Sequence, residues 1–384
     1  MQDFQNYILG AWEKGEGTET KLYNAINGDL LGGVSSAGID YDAVLKYGRN
    51  VGGPALRKMT FQERGRMLKA LAFHLLEKKA KYYKVSAWTG ATKIDSWIDI
   101  EGGIGNLFAN ASLRKQFPDL PYYVDGVAAP LSKGGSFIGH HIMVPKEGVA
   151  IHINAFNFPI WGMLEKIAVN LMAGVPAIVK PSEYTCYLTE VMVKDIVASK
   201  ILPEGALQLV CGLGRGIIDH VDARDTVTFT GSAATGKILK GLPHITDRSV
   251  AFNLEADSLN ASILGMYATP DTEEFNLFVK ECVKEITIKA GQKCTAVRRI
   301  IVPENLIDDV QSAISSKLEK TKIGDPSIEG VRMGALASKL QVERVRESVL
   351  ALEKSQNIVS GDLENFDVEG ADKKLGAFFS PILF

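Results

Sequence analysis

Short apolar runs alternate with longer amphipathic ones between residues 148 and 260, and this alternation constrains the fold more than any other feature of the chain. The apolar runs have the length and composition of buried strands, and the segments between them have the length of helices. Strands that alternate with helices predict βαβ units and a parallel sheet, hence an α/β fold. The predicted strands are GVAIHI, PAIVKPS, LQLVCG and TVTFTGS, and the predicted helices are WGMLEKIAVNLMAG, residues 184–199 and a segment that starts at Ser232.

The amino-terminal part predicts strands followed by helices. Short strands and turns are expected over residues 1–35, helices over 41–88, and a further helix from about Trp97 to Leu113. Residues 118–148 are rich in Gly, Pro and β-formers, a composition typical of a hairpin.

A second α/β lobe is expected to begin near residue 256. The run 273–290 predicts an amphipathic helix, RRIIVP a strand, and residues 306–320 another helix. A chain of 384 residues is also longer than one core usually holds, so more than one lobe is expected.

Composition and charge exclude several classes of protein. Lys and Arg number 43 against 45 Asp and Glu, a net charge of −2, whereas nucleic-acid binding usually shows a basic excess. No apolar run approaches the roughly 20 residues of a membrane helix, and no secretory signal is expected at the amino terminus. The four cysteines form no C-x-x-C pair, which argues against a disulfide framework and a zinc site. The sequence predicts a reduced, cytoplasmic protein with no metal, no membrane and no nucleic-acid partner.

Cys294 is the candidate nucleophile. It lies in AGQKCTA, one short turn beyond a predicted helix, and its neighbours favour an accessible thiol near a positive charge. Cys282, on the apolar face of that helix, is expected to be a buried structural cysteine. A Cys/His hydrolase is the rival class of enzyme. His152 is its one plausible partner residue, and the position of His152 inside a strand favours a core histidine.

Two further residues follow predicted strands and suit catalysis. Glu255 comes after the apolar strand SVAFNL, and a carboxylate facing an apolar pocket suits a general base, with Asp257 as its competitor. Asn157, in NAFNFP, can donate its amide to a developing oxyanion, and Asn154 competes for that role. Turn-forming asparagines and a surface acid are the plain alternatives.

Other strand ends predict a place for an anionic ligand. Lys180 lies at the carboxyl end of a predicted parallel strand, where α/β folds bind ligands, although a solvated loop lysine is the commoner case. Within FTGSAATGK, Gly231 and Ser232 lie where a predicted strand meets the start of a helix. This position suits a bound anion and a plain capped helix equally. GLGRG at 212–216 lacks the full dinucleotide-binding spacing, and a tight turn between strand and helix is expected there.

Taken together, F-N-F-P, K-P-S-E, F-T-G-S, a lone glutamate and G-Q-K-C-T resemble the aldehyde dehydrogenase superfamily, in this order and at these spacings, over essentially the whole chain. INAFNFPIWGMLEK, VTFTGSAATG, EADSLN and KAGQKCTAVRRIIVP are most similar to the dehydrogenase half of the bifunctional phenylacetate-degradation family. That family oxidises 3-oxo-5,6-dehydrosuberyl-CoA semialdehyde to the acid. A sister family in benzoate degradation, with similar motifs, acts on 3,4-dehydroadipyl-CoA semialdehyde.

The resemblance implies an NADP- or NAD-dependent oxidation of a CoA-linked semialdehyde, and it assigns roles to residues. Cys294 matches the nucleophile, Glu255 the base, and Asn157 the oxyanion-stabilising asparagine. The matched cofactor residues are Lys180 and Glu183 at the adenosine ribose with Ser182 between them, Gly231 and Ser232 at the pyrophosphate, and Lys166 near the base.

The resemblance also implies an architecture with an aldehyde dehydrogenase-like α/β fold. Residues 1–117 and 148–255 would form a Rossmann-type NAD(P)-binding lobe, 118–147 a hairpin for oligomerisation, and 256–384 the catalytic lobe. A homo-oligomer is expected for the full-length protein.

Two departures from the family pattern lead to further expectations. The residues after the base are Glu255-Ala256-Asp257-Ser258 rather than E-L-G-G-K, which fits the CoA-semialdehyde branch. The motif E-x-F-G-P is missing, so the catalytic lobe is expected to be incomplete, the chain a fragment, and a hydratase-like domain part of the parent protein. The final run FFSPILF would then stand unpaired. A folded fragment that only binds a dinucleotide is the non-enzymatic alternative.

Overall fold

The computed structural model describes residues 2–384. The strands are β1 (Gln2–Asp3), β2 (Asn6–Ile8), β3 (Ala11–Glu13), β4 (Thr20–Tyr23), β5 (Leu30–Val34), β6 (Tyr123–Pro130), β7 (Ile138–Met143), β8 (Ala150–Ile153), β9 (Ala177–Lys180), β10 (Leu207–Leu209), β11 (Thr226–Gly231), β12 (Ala251–Ala256), β13 (Asn260–Ile263) and β14 (Val297–Ile301).

The α-helices are α1 (Tyr41–Tyr47), α2 (Gly53–Lys58), α3 (Phe61–Glu77), α4 (Lys79–Ala87), α5 (Lys93–Trp97), α6 (Gly103–Ser112), α7 (Pro159–Met172), α8 (Cys186–Ser199), α9 (Ala233–Lys240), α10 (Pro243–Thr246), α11 (Glu273–Thr287), α12 (Ile307–Leu318) and α13 (Lys339–Leu352). Single π turns cover Gly48–Gly52 and Ile98–Gly102, and 3₁₀ turns cover Leu113–Gln116, Ile217–His220, Ile288–Gly291 and Glu304–Leu306.

The main sheet has seven strands in the order β12-β11-β8-β9-β10-β2-β3. The five strands from β12 to β10 run parallel, and β2 and β3 extend the sheet in antiparallel fashion. The prediction of a parallel α/β sheet over residues 148–260 is therefore confirmed. The chain leaves β8 for β9 on one side and later returns to β11 on the other, which creates a crevice at the carboxyl ends of these strands.

Helix α7 covers one face of the sheet beside this crevice. Pro159 occupies its first position, where the missing N–H costs nothing, and Gly174 follows its end with a φ of +83°. Six Ile, Leu and Met side chains of α7 are buried, each worth about 1.5–3 kcal/mol when fully removed from water. The buried set comprises Ile160, Met163, Leu164, Ile167, Leu171 and Met172.

The helix predicted from about Trp97 begins earlier than expected. Thr92 caps α5 by accepting the N–H of Asp95, and Asp95 in turn accepts the N–H of Thr92. The helix then widens into the π turn Ile98–Gly102 before α6 continues to Ser112. The sequence pattern missed this because α5 has only five residues, too few to show an apolar stripe.

The hairpin expected over residues 118–148 is present as the antiparallel pair β6–β7. Most of its side chains are exposed, including Val127 and Phe137. Its role in oligomerisation stays a prediction.

The chain after Ala256 builds a separate two-stranded parallel sheet, β13–β14, with α11 and α12 packed beside it. The prediction that the carboxy-terminal run FFSPILF stands unpaired is wrong. Phe378 and Phe379 are buried, and Leu383 pairs with Ser360 through backbone hydrogen bonds. The functional division of the chain at residues 117, 147 and 255 stays a prediction.

Within residues 2–384, none of the helices is long and apolar enough to cross a membrane. The same residues contain no cluster of three or more His, Cys, Asp or Glu side chains that could hold a metal ion.

Candidate active site

A cavity of about 1310 Å³ lies at the carboxyl ends of β8, β9, β11 and β12. Parallel strands end at the same edge of a sheet, so residues far apart in sequence meet there. The structure brings every residue singled out for the site to the wall of this one cavity: Asn157, Lys166, Lys180, Ser182, Glu183, Gly231, Ser232, Glu255 and Cys294.

Cys294 is exposed at this wall, whereas Cys282 is buried in α11, as the sequence predicts. The backbone carbonyl of Cys294 accepts hydrogen bonds from the hydroxyl of Ser258 and from Nδ2 of Asn260, the latter at 2.6 Å. Two residues of the EADSLN segment therefore hold the main chain of the candidate nucleophile in place.

The expected positive charge beside Cys294 is engaged elsewhere. Nζ of Lys293 donates to both carboxylate oxygens of Glu285 at 2.8 Å. The two side chains are only partly exposed, so this ion pair neutralises the ammonium next to the thiol. Lys293 is therefore next to Cys294 in sequence, but its ammonium is paired with Glu285 and is not free to act on the thiol.

Asn157 is half-buried and directed at the loop that carries Cys294. Its Nδ2 donates to the carbonyl of Gln292 at 3.0 Å. Asn154, its competitor, is buried beneath α7, and both its Nδ2 and Oδ1 lack a hydrogen-bond partner among the residues described. An unpartnered buried carboxamide costs about 1–3 kcal/mol, so Asn154 is poised to bind a polar group that enters the cavity.

Glu255 ends β12 opposite Thr230 of β11, and its Oε2 lies 3.5 Å from the Thr230 hydroxyl. The side chain is exposed, which corrects the expected apolar surrounding and leaves the carboxylate open to water. Asp257 has a different partner, because its carboxylate accepts the N–H of Ala233 at the start of α9 at 3.1 Å. The two competing acids therefore point to different places.

Lys180 and Glu183 form an ion pair across the cavity wall, with Nζ and Oε2 3.5 Å apart. Both side chains and Ser182 are largely buried. The side chain of Lys180 runs beside Gly214, where an added Cβ would come within 3.0 Å of it.

GLGRG at 212–216 is a turn between β10 and a 3₁₀ turn, as expected, with positive φ at Gly212, Gly214 and Gly216. It also lines the cavity, which the sequence did not predict.

Gly231 and Ser232 sit where β11 turns into α9. Ser232 caps the helix by accepting the N–H of Thr235 at 3.3 Å. The adjacent N–H of Ala233 is already bonded to Asp257, so a pyrophosphate at this turn must share or displace that carboxylate.

Lys166 projects from α7 into the same cavity. Its Nζ donates to Oε1 of Glu165 at 2.8 Å and to the carbonyl of Gly162 at 3.2 Å. The other carboxylate oxygen of Glu165 accepts the indole N–H of Trp161 at 2.8 Å. This chain of contacts fixes Lys166 against α7 at the wall of the cavity that Glu255 also lines.

His152 is a core histidine, as the sequence favours. Its two ring nitrogens lie 2.8 Å from the Thr228 hydroxyl and from Oδ1 of Asn170. Burial lowers the pKa of His152 to about 4. A neutral ring with both nitrogens engaged is unsuited to activate Cys294, which removes the basis for a Cys/His hydrolase.

Several lining residues were missed by the sequence reading. Gln341 and Arg344 come from α13, more than 150 positions after Lys180, and Arg215 comes from the GLGRG turn. Helix α13 shows no motif of its own, so only the tertiary packing could reveal its place at the cavity.

The residues present fit a dinucleotide. The cavity joins the ammonium of Lys180, the orphaned carboxamide of Asn154 and the amino-terminal turn of α9 in one continuous space. These groups offer hydrogen bonds to ribose hydroxyls, an amide and a phosphate, respectively.

The comparison with known families shows the class of protein to which this site belongs. The sequence model of the aldehyde dehydrogenase family matches residues 12–384, and the chain belongs to this family. It is an oxidoreductase, an NAD(P)-dependent aldehyde dehydrogenase.

Individual relatives are similar over nearly the whole chain. A 3,4-dehydroadipyl-CoA semialdehyde dehydrogenase from Aromatoleum evansii is 42% identical over 379 residues, which are 98% of this chain and 74% of that protein. An NAD⁺ complex of aldehyde dehydrogenase from Bacillus cereus superimposes with a TM-score of 0.84 at 22% identity, covering 99% of this chain and 74% of that one. A 3,6-anhydro-L-galactose dehydrogenase gives a TM-score of 0.86 at 21% identity, with 99% and 77% covered.

Proposed function

We propose that the chain oxidises a CoA-linked semialdehyde of aromatic-ring degradation to the acid, with NADP or NAD as the hydride acceptor. The observation that carries the chemistry is the meeting of Cys294, Asn157 and Glu255 at one cavity. The substrate class is supported by the 42% identity to a 3,4-dehydroadipyl-CoA semialdehyde dehydrogenase and by the EADSLN segment that holds Cys294.

Cys294 begins the reaction. Its exposed thiol, once deprotonated, attacks the aldehyde carbon, so that a sulfur–carbon bond forms and the carbonyl oxygen becomes an oxyanion. The Ser258 and Asn260 contacts to the Cys294 carbonyl keep the main chain fixed while the sulfur moves onto the substrate.

Asn157 stabilises the oxyanion. Its Nδ2 already points at the Cys294 loop, where it bonds the carbonyl of Gln292, and a short swing transfers that donor to the substrate oxygen. Loss of one such donor costs about 10²–10³ in rate in other acyl-transfer sites.

The oxyanion then collapses and expels a hydride, which leaves a thioester on Cys294. The dinucleotide, when bound, supplies the acceptor for this hydride. Lys180, Ser182 and Glu183 would hold its adenosine ribose, Gly231 and Ser232 would face its pyrophosphate, and Lys166 would lie near the base.

Glu255 completes the cycle. Its exposed carboxylate takes a proton from water, and the resulting hydroxide attacks the thioester carbonyl, releasing the acid and the Cys294 thiolate. The openness of Glu255 to solvent suits a group that must recruit water.

Two CoA-linked substrates are candidates. The 42% identical relative favours 3,4-dehydroadipyl-CoA semialdehyde. The resemblance of INAFNFPIWGMLEK, VTFTGSAATG, EADSLN and KAGQKCTAVRRIIVP to the phenylacetate-degradation family favours 3-oxo-5,6-dehydrosuberyl-CoA semialdehyde. A homo-oligomer and a hydratase-like domain in the parent protein stay predictions.

The test is turnover by the purified chain. Each of the two CoA semialdehydes is offered with NADP and with NAD, and the reduced cofactor is followed by absorbance. The matched control is the same semialdehyde without its CoA, which we expect to turn over at least about tenfold more slowly because remote binding energy is lost. A chain that binds the dinucleotide but reduces none with either substrate is the inert fragment instead, and the proposal is then wrong.

A further inference from the structure

The turn that leads into Cys294 has an unusual backbone. Lys289 and Ala290 have φ values of 53° and 50°, and Gly291 follows with 71°. Left-handed backbone is disfavoured for residues with a side chain. Two such residues in succession persist only where the surroundings hold them.

Asp95 holds this turn from another part of the chain. Its Oδ1 accepts the N–H of Lys289 at 2.8 Å, and its Oδ2 accepts the N–H and the hydroxyl of Thr92, both at 2.8 Å. Nζ of Lys289 is anchored as well, because it donates to the Thr89 hydroxyl at 2.9 Å. Asp95, Thr89 and Lys289 are each at most 3% exposed.

Asp99 holds the other half of the site. Its Oδ1 accepts the N–H groups of Ile160 and Trp161 at 3.0 and 2.7 Å. These are the first N–H groups of α7, since Pro159 has none, and Asn157 lies two residues before the helix. Asp99 thus caps, from a distance, the helix that fixes Asn157.

The two carboxylates lie four residues apart on one continuous helical segment. Asp95 belongs to α5, and Asp99 to the π turn that follows. A π turn displaces the residues around it, and such turns occur often near functional sites. The segment 93–102 therefore contacts both loops of the site, one through each acid.

We infer that Asp95 and Asp99 are positioning residues that set the separation between Asn157 and Cys294. The inference rests on the proposed function, which gives those two residues their roles. Gln292 connects the two loops. Its side-chain Nε2 donates to the backbone carbonyl of Lys289 at 2.9 Å, and its backbone carbonyl accepts from Nδ2 of Asn157.

Burial shifts the pKa values of two charged groups in this arrangement. Burial raises the pKa of Asp99 to about 7, against the lowering effects of the Trp161 N–H and of Lys289. Burial likewise lowers the pKa of Lys289, against the raising effects of Asp95 and Asp99. Nζ of Lys289 is buried and bonded to the Thr89 hydroxyl, so a shift of this turn would leave the ammonium without its hydrogen-bond partner in a dry interior.

The experiment replaces each acid by its isostere. Asp95→Asn offers one acceptor oxygen where three donors converge, so the Lys289 turn and the α5 cap cannot both be kept. Asp99→Asn removes the charge that the Ile160 and Trp161 N–H groups face at the start of α7. Asp225→Asn is the matched control, since Asp225 is also a fully buried acid, bonded to Arg49 and Val149, and does not line the cavity.

Three quantities are measured on folded protein: kcat and KM for semialdehyde oxidation, the dinucleotide Kd, and the rate of Cys294 alkylation by iodoacetamide across pH. We expect Asp95→Asn and Asp99→Asn to lower kcat by about 10- to 100-fold, as small misplacements of reacting groups do. The dinucleotide Kd should change less than about threefold, and the alkylation rate of Cys294 should shift for Asp95→Asn. Asp225→Asn should lower the melting temperature while keeping kcat and alkylation near wild type.

Wild-type kcat and alkylation in both folded acid variants would overturn the inference, as would an equal loss of kcat in Asp225→Asn. If Asp95→Asn does not fold, Thr89→Val carries the test, because it removes the hydroxyl that accepts from the Lys289 ammonium and donates to the Ser86 carbonyl. Unchanged kcat and alkylation in Thr89→Val then count against the inference. A wild-type protein that is alkylated at Cys294 but oxidises no aldehyde defeats the proposed function alone, and the alkylation comparison still decides the positioning role.

Discussion

The side-chain amide of Asn157 donates to the backbone carbonyl of Gln292 at 3.0 Å, two residues before Cys294. This contact crosses 135 positions of sequence and joins the loop after β8 to the loop after α11. The contact therefore joins the loop of the candidate oxyanion donor to the loop of the candidate nucleophile, and the predictions below rest on that arrangement.

Cys294→Ala is expected to abolish aldehyde oxidation, because no other exposed thiol replaces it among the residues described. The dinucleotide Kd should stay within about twofold of wild type, since the removed sulfur makes no contact that the cofactor lobe needs. Cys282→Ala is the matched control. It should destabilise the protein by roughly 1 kcal/mol through lost packing in α11 and retain turnover. Steady-state assays and thermal melts check both, and sustained turnover in Cys294→Ala removes it as the nucleophile.

Glu255→Gln is expected to separate the two halves of the reaction. The thioester should still form, but its hydrolysis should slow by about 10²–10⁴, the usual contribution of a general base. Stopped-flow absorbance should show a burst of reduced cofactor and then a stalled steady state.

Asp257→Asn is the control for that change, because the Asp257 carboxylate accepts the N–H of Ala233 at the start of α9. It should keep steady-state turnover within a few-fold of wild type. If Asp257→Asn stalls and Glu255→Gln does not, the base has been assigned to the wrong acid.

Glu183→Thr is expected to shift the cofactor preference toward NADP. A carboxylate at the ribose repels a 2′-phosphate, and the Lys180 ammonium now paired with Glu183 would be released to bind that phosphate. The ratio of kcat/KM for NADP over NAD should rise about five- to tenfold, the equivalent of roughly 1 kcal/mol. Asp257→Asn should leave the ratio unchanged, because the pyrophosphate turn is common to both cofactors. A ratio that does not move in Glu183→Thr means that Glu183 does not face the ribose.

His152 is expected to make the protein less stable in mild acid. Its folded pKa is about 4 because burial disfavours the charged ring, whereas an unfolded histidine titrates near 6.5. Between these values the unfolded chain takes up a proton that the folded one refuses, so the stability falls as the pH drops from about 6.5 to about 4. The full loss is on the order of 3 kcal/mol.

His152→Gln should flatten this part of the profile, measured as the free energy of unfolding in urea at several pH values. Asp99, whose pKa is raised to about 7, acts in the opposite direction, since its ionisation weakens the folded state as the pH rises. That contribution is the same in both proteins and cancels in the comparison. Identical pH slopes for the two proteins would show that His152 is not the buried neutral group.

Residues at strand ends were predictable because the sheet itself was. Once β8, β9, β11 and β12 are recognised as parallel strands, Asn157, Lys180, Gly231 and Glu255 must meet at one edge. Cys294 was predictable from its turn and from the apolar face of the preceding helix. The placement of these residues uses periodicity and local order, which a sequence carries directly. Their roles came from the resemblance to the aldehyde dehydrogenase superfamily.

Contacts between distant segments were not predictable. No local pattern near Lys293 indicates that Glu285 is its partner. Likewise, no pattern in α13 indicates that Arg344 reaches the cavity. The Asp95 contact to Lys289 spans 194 positions. Thr92 and Asp95 did offer a local signal, since their spacing is that of a capping box, and it would have placed the start of α5 correctly.

The position of β2 in the main sheet has a consequence for how the chain folds. Tyr7 pairs with Leu209, and Asn6 accepts the N–H of Cys211, 205 residues later. At synthesis rates of about 5–20 residues per second, the first strands wait on the order of 10–40 s for their partner to emerge. Until then they are an unsatisfied sheet edge, and closure over so long a loop makes folding slow. We therefore expect that the first strands must be kept from aggregating until β10 has been synthesised. This requirement is set by the topology of the sheet rather than by the chemistry of the site.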